Sequence, residues 1–216
     1  MMLSLAGTVH LTAKEAADLL EGYPDRTLEL YDRGPTSGAD AVGPEEIGRL
    51  IVIEPLSQAV AVSLMAAAPT APWHLVPLDA HLEDADPEGD LYWQADQLYR
   101  HFDALPGVGP AITSKLLHLK RPGFYPILDT VVRDLYATAA AEACARAERC
   151  KAERPGARRL FWAAIREDLV ANRETIVELR RTLTDRPTVK AKQLATLPTV
   201  RLLDMLAWSV QDGTNG

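Results

Sequence analysis

Apolar residues recur at helical spacing along most of the chain. Leu91, Ala95, Leu98 and Phe102 share one face, which predicts an amphipathic helix from Asp90 into Leu105-Pro106-Gly107-Val108-Gly109. A second helix is predicted from Pro110, whose fixed φ suits a first turn. Its apolar stripe is Ile112, Leu116 and Leu119, and "KRPGFYP" breaks it. Asp129 then stands where an N-cap is wanted, ahead of a long helix through Val132, Leu135 and Tyr136 that is expected to end before "RPG" at 154–156. Further helices are expected at about 157–183, 188–195 and 198–210.

The first half carries weaker patterns. "TAKE" reads as a capping box, with Thr12 as N-cap and Glu15 three residues on, opening a helix that ends near Gly22 and Pro24. "DRGPTSGADAVGPEE" is rich in turn residues, and Pro44 opens a short helix. "RLIVIEP" fits either a short strand or a buried helix end, because so few residues carry no decisive period. A helix over Ser57 to Ala67 and the long loop "PTAPWHLVPLDAHLEDADPEGD" follow. The predicted class is mainly α. The expected organisation is an acidic, mostly helical region over 1–88, a hairpin core over 89–153 and C-terminal helices over 154–216.

Charge changes this picture more than bulk composition does. The chain has 216 residues and a formal net charge of −7. Residues 1–100 hold 5 Lys and Arg against 17 Asp and Glu, whereas residues 101–216 hold 18 against 13. Such asymmetry is one signature of a nucleic-acid surface; a solvated acidic half that aids solubility gives the same numbers. Cys144 and Cys150 have no histidine nearby, and the five histidines are scattered. Neither a disulfide framework nor a metal site is therefore expected. No cofactor motif is present, neither a Walker loop nor a dinucleotide-binding glycine pattern. The most apolar run, "LSQAVAVSLMAAAP", is interrupted by Ser57, Gln58 and Ser63 and stops at Pro69, so no membrane span is expected. The first residues, "MMLSLAGTVH", lack a basic n-region, so a cytoplasmic location is expected.

The candidate chemistry lies in "LPGVGPAITSKLLHLKRPGFYPILDT". Two helices joined by a tight turn need glycine where φ is positive or another group comes close. The first-turn N–H groups of the second helix, with those of the glycine turn, make a concavity suited to a phosphate. Leu105, Gly107, Val108, Gly109 and Ala111 form that candidate contact, with Lys115, Lys120 and Arg121 as supporting cations. A plain αα-hairpin turn is the alternative reading of the same glycines. "RTLTDRPTVKAK", with Arg180, Arg181, Arg186, Lys190 and Lys192, is either a second backbone-binding surface or a solvated loop.

This stretch resembles the helix-hairpin-helix motif of DNA-binding and repair proteins. With "PILDT" it is similar to the base-excision DNA glycosylases of the endonuclease III-like superfamily. The whole chain also resembles an uncharacterised bacterial protein family that shares the hairpin and a "VVR" helix start. The glycosylase resemblance implies a two-domain helical fold, a hairpin that grips duplex DNA, and a catalytic aspartate about twenty residues past the second glycine. Asp129 occupies that position and Thr130 follows it. The lysine nucleophile of strand-cutting members is replaced by Ala111, so no lyase step is expected. Two cysteines rule out the four-cysteine iron–sulfur loop that some members carry. Val131 stands where many members have histidine, and Arg133 comes one residue earlier than the arginine they often carry.

The resemblance thus implies a monofunctional glycosylase-like enzyme. Asp129 would stabilise the oxocarbenium-like state of a breaking N-glycosidic bond, and Tyr92, Trp93 and Tyr125 are the aromatic candidates for a base pocket. Two alternatives stay open at this point: a non-catalytic DNA-backbone-binding module, and a helical protein whose acidic half meets a protein partner.

Overall fold

The computed structural model of the chain describes residues 2–34, 36–146 and 158–214. The elements run β1 (Met2–Leu5), β2 (Val9–Thr12), α1 (Ala13–Glu21), α2 (Asp25–Thr27), α3 (Pro44–Ile53), α4 (Gln58–Ala67), α5 (Asp90–Asp103), α6 (Pro110–Lys120), α7 (Thr130–Arg146), α8 (Arg158–Ala171), α9 (Arg173–Asp185), α10 (Val189–Ala195) and α11 (Thr199–Thr214). The fold is mainly α. The expected end of α7 near 154–156 lies outside the described residues.

The chain forms two compact units. A terminal unit joins Met1–Tyr23 to Thr130–Gly216, and an inserted unit spans Pro24–Asp129. The divide expected at 88/89 is therefore replaced by boundaries at 23/24 and 129/130. The divide expected at 153/154 lies outside the described residues. The reason is long-range packing that periodicity cannot reveal: α1 packs against α9, α10 and α11, which draws the first 23 residues to the C-terminal helices.

In the terminal unit, β1 and β2 form an antiparallel hairpin with Leu3 opposite Leu11 and Leu5 opposite Val9. Its turn puts Ala6 at φ +51 and Gly7 at φ +68, a left-handed conformation that is uncommon for alanine. The turn is held from outside. The Ala6 N–H donates to Asp168 Oδ2 at 2.7 Å, and the Tyr136 hydroxyl donates to the same oxygen at 2.7 Å. Burial pushes the Asp168 carboxyl above its ordinary range, against those two bonds. Asn172 completes the arrangement: its amide accepts from Ser4 N–H (2.8 Å) and donates to Ser4 C=O (2.7 Å), as a neighbouring strand would. This is why the helix expected at 157–183 is two helices. Asn172 leaves helical φ and ψ between α8 and α9, and its side chain serves β1.

Thr12 caps α1 as expected, with its side chain accepting from Glu15 N–H and Glu15 accepting from Thr12 N–H. Most of the basic residues of "RTLTDRPTVKAK" bond within the unit. Arg180 donates to Leu197 C=O at 2.7 Å, Arg186 pairs with Asp18 at 2.5 Å and with Glu21, and Lys190 donates to Tyr23 C=O. The stretch is the end of α9 and the start of α10 rather than a solvated loop, and its exposed cations are Arg181, 3.9 Å from Asp185, and Lys192.

In the inserted unit, α6 packs against α3 and α5. "RLIVI" is the end of α3 rather than a strand. Every side chain from Ile112 to His118 is buried, and so is Lys120. The expected single stripe on α6 is therefore a helix enclosed on all sides, and Leu119 is only half-buried. An enclosed helix that carries lysine, histidine and serine must find a partner for each, since a buried polar group without a hydrogen bond is costly.

Candidate functional site

Local geometry builds the hairpin. α5 stops at Asp103, and Ala104 closes it by donating to Arg100 C=O. Leu105 N–H donates to Phe102 C=O and Val108 N–H to Leu105 C=O, both at 3.0 Å. Gly107 has φ +76, the left-handed region that favours glycine. A Cβ there would also meet Val60 Cγ2 at 3.0 Å. Gly109 is different. It is extended, with φ −102 and ψ −179, and a Cβ on it would meet nothing within 4 Å. Its absent side chain is not a requirement of the turn.

Pro110 opens α6, and Thr113 N–H donates to Gly109 C=O at 3.0 Å. The Tyr99 hydroxyl donates to Pro110 C=O at 2.7 Å and pins the first turn to α5. Val108 is buried and anchors the loop, Pro106, Gly107 and Pro110 are exposed, and Leu105, Gly109 and Ala111 are half-buried. The first N–H groups of a helix have no partner inside it, and here Pro110 supplies none.

The three supporting cations are elsewhere. Lys115 is buried and pairs with Glu54 at 2.6 Å. Lys120 is buried beside Glu46 and donates to Gly38 C=O at 2.8 Å. Arg121 is 2% exposed, donates to the carbonyls of Val76, Ala39 and Trp73 and to Asp40, and lies 5.4 Å over the Trp73 ring. Their expected role at a phosphate is corrected: all three are bonded inside the unit, because α6 is enclosed. Burial lowers the Lys120 ammonium while Glu46 pulls it back up. Burial pushes the Glu46 carboxyl up, but bonds from Lys120, Gly43, Ser37 and Thr36 outweigh it and hold Glu46 at about 2.

The aromatic candidates divide as well. Tyr92 is 1% exposed and meets Phe124 edge-on at 6.0 Å. Tyr125 is fully buried, and its hydroxyl donates to Ala95 C=O at 2.9 Å. Burial raises its phenol well above the ordinary range. Both belong to the core of the unit, which corrects their expected place at an open base pocket. Trp93 is 37% exposed. Asp129 is half-buried, the last residue of the inserted unit and the one directly before α7.

Sequence reasoning passed over Ser114, His118 and Glu46, the residues that tie the hairpin's second helix to its surroundings. The legible signal was "ITSKLLHLK", whose polar positions fall on several faces, a pattern that fits an enclosed helix better than an amphipathic one.

In the terminal unit a separate open cavity of about 610 Å³ is lined by Leu11, Glu15, Asp18, Leu19, Gly22, Trp208 and Ser209. Among the described residues, no group of three or more His, Cys, Asp or Glu side chains is placed to hold a metal ion. No helix among the described residues is long and apolar enough to cross a membrane. No curated protein and no solved structure matches the chain. A family profile does match, over residues 54–211, which takes in the hairpin, Asp129 and most of the terminal unit's helices. The chain belongs to DUF6308, a family of unknown function.

Proposed function

We propose that this chain is a cytoplasmic DNA-binding protein that grips the duplex backbone through the turn of its helix-hairpin-helix. The carrying observation is the turn itself. Gly107 takes the left-handed conformation, the exposed Pro110 opens α6 directly after the turn, and Gly109 lacks a side chain at a place where packing does not demand it. An absent Cβ with open space around it is what close approach of a phosphate requires. The division into two helical units, one inserted in the other, agrees with the two-domain helical fold implied by the glycosylase resemblance.

Asp129 favours a catalytic extension of this reading. A half-buried carboxylate twenty residues past Gly109 stands where a monofunctional glycosylase places its aspartate. There it would stabilise positive charge on the sugar as the N-glycosidic bond breaks. With Ala111 at the lyase position, the strand would stay intact.

A second reading has its own observation. The inserted unit carries 7 Lys and Arg against 16 Asp and Glu, and Lys115, Lys120 and Arg121 are among the seven. A surface so acidic favours a basic protein partner over a polyanion.

Binding to a labelled duplex with an abasic-site analogue, against the undamaged duplex and over a salt series, separates these readings. A preference for the analogue supports the base-excising reading. Equal affinity with a shallow salt slope supports a grip through amides. Gly109→Ala should leave the melting temperature within a degree or two and weaken DNA binding about tenfold, since about 1.4 kcal/mol is one tenfold step. No binding at low salt leaves the protein-partner reading.

A further inference from the structure

The segment leading to Asp129 is fastened to α6 by side chains from successive turns. The Ser114 hydroxyl, fully buried, donates to Ala111 C=O at 3.1 Å and accepts from Leu128 N–H at 3.0 Å. One turn further on, His118 Nδ1 lies 2.8 Å from Tyr125 C=O. A carbonyl only accepts, so Nδ1 carries the proton. The far side of the segment is held too, by the Tyr125 hydroxyl on Ala95 C=O and by Leu82 N–H on Gly123 C=O, both at 2.9 Å.

We infer that Ser114 is a positioning residue that sets Asp129 against the hairpin. Its single oxygen joins the first turn of α6, where the phosphate is proposed to sit, to the amide one residue before the carboxylate. The oxygen uses one donor and one acceptor site and is shielded from water, so it fixes a distance instead of merely satisfying a polar group. In an enzyme of this kind, the spacing between backbone anchor and carboxylate decides whether the sugar of the gripped nucleotide lies beside the aspartate, and small displacements weaken catalysis strongly. This inference rests on the DNA-binding reading above, and it adds the device that couples that reading's two halves.

Ser114→Ala and Ser114→Thr test it. Alanine favours the helix and removes only the bridge, whereas threonine keeps the hydroxyl. Ser114→Cys, which keeps the volume with a much weaker bonding group, takes alanine's place if the alanine variant folds poorly. The expected result for alanine has two parts. Amide exchange at Leu128 speeds up at least tenfold, and the preference for the abasic duplex falls about tenfold with affinity for undamaged DNA unchanged. Threonine restores both. Equal loss of affinity for both duplexes, or a lower melting temperature with the preference intact, would overturn the positioning role and leave Ser114 a structural bridge. A wild-type protein with no abasic preference would sink the base-excision reading itself, and the positioning role, which rests on that reading, would fall with it.

Discussion

Replacing Glu46 with alanine should destabilise the inserted unit by about 3–5 kcal/mol at neutral pH, the range for breaking one side of a buried ion pair. Glu46 is fully buried. Its carboxylate accepts from Lys120, from the Thr36 hydroxyl at 2.8 Å, and from the N–H groups of Ser37 and Gly43, each at 2.9 Å. Removing it strands the Lys120 ammonium and frees the loop ahead of α3. Faster amide exchange along α6, together with an earlier denaturant transition, would show the loss. Exchanging Glu46 and Lys120 together for leucine should recover most of it, because apolar replacements of similar volume no longer bury a lone charge.

Acid should erase the difference. A carboxyl lowered from 4.5 to about 2 contributes stability that is fully present above 4.5 and is lost as pH falls through 2. The amount is on the order of 3 kcal/mol. Wild type and Glu46→Ala should therefore converge across that window. A gap that stays constant from pH 5 to pH 2 would mean that the ion pair is not its source.

Gly107→Val should cost about 2 kcal/mol and abolish DNA binding, lowering affinity at least a hundredfold. A β-branched residue at φ +76 is strained by roughly 1–3 kcal/mol, and its Cβ would press on Val60 Cγ2 at 3.0 Å. The turn must reorganise, and the first-turn amides of α6 move with it. Thermal unfolding and fluorescence anisotropy measured on the same sample check both effects. The contrast with Gly109→Ala carries the argument, since that substitution meets no atom within 4 Å. Full DNA affinity in Gly107→Val would remove the hairpin from the binding surface, whatever happened to stability.

Features read correctly from the sequence depend on neighbours within about one helical turn. The Thr12 capping box, the start of α3 at Pro44, the glycine turn between α5 and α6 and the helix after Asp129 all follow from backbone preferences and i to i+4 geometry. Turn chemistry was also sufficient to single out Gly107 and Gly109. It did not separate them, since only the folded turn shows one glycine required by φ and the other surrounded by open space.

What escaped the sequence was the fate of the polar side chains. Lys115, Lys120 and Arg121 look like a cationic fringe beside a phosphate site, yet each is bonded inside the fold. The N-terminal strand pair and the break at Asn172 escaped for the same reason, since Asn172 bonds Ser4 from 168 residues away.

By itself, then, the sequence determined a mainly helical chain, the hairpin turn and the place of Asp129 beyond it. Tertiary structure alone decided which cations are free, which aromatics are core, how the chain divides into units, and that Ser114 links the hairpin to Asp129. The physical reason is range. Helix formation and capping are satisfied by near neighbours, whereas a buried charge must be met by whatever the fold brings to it, as Glu46 meets Lys120 across 74 residues of chain.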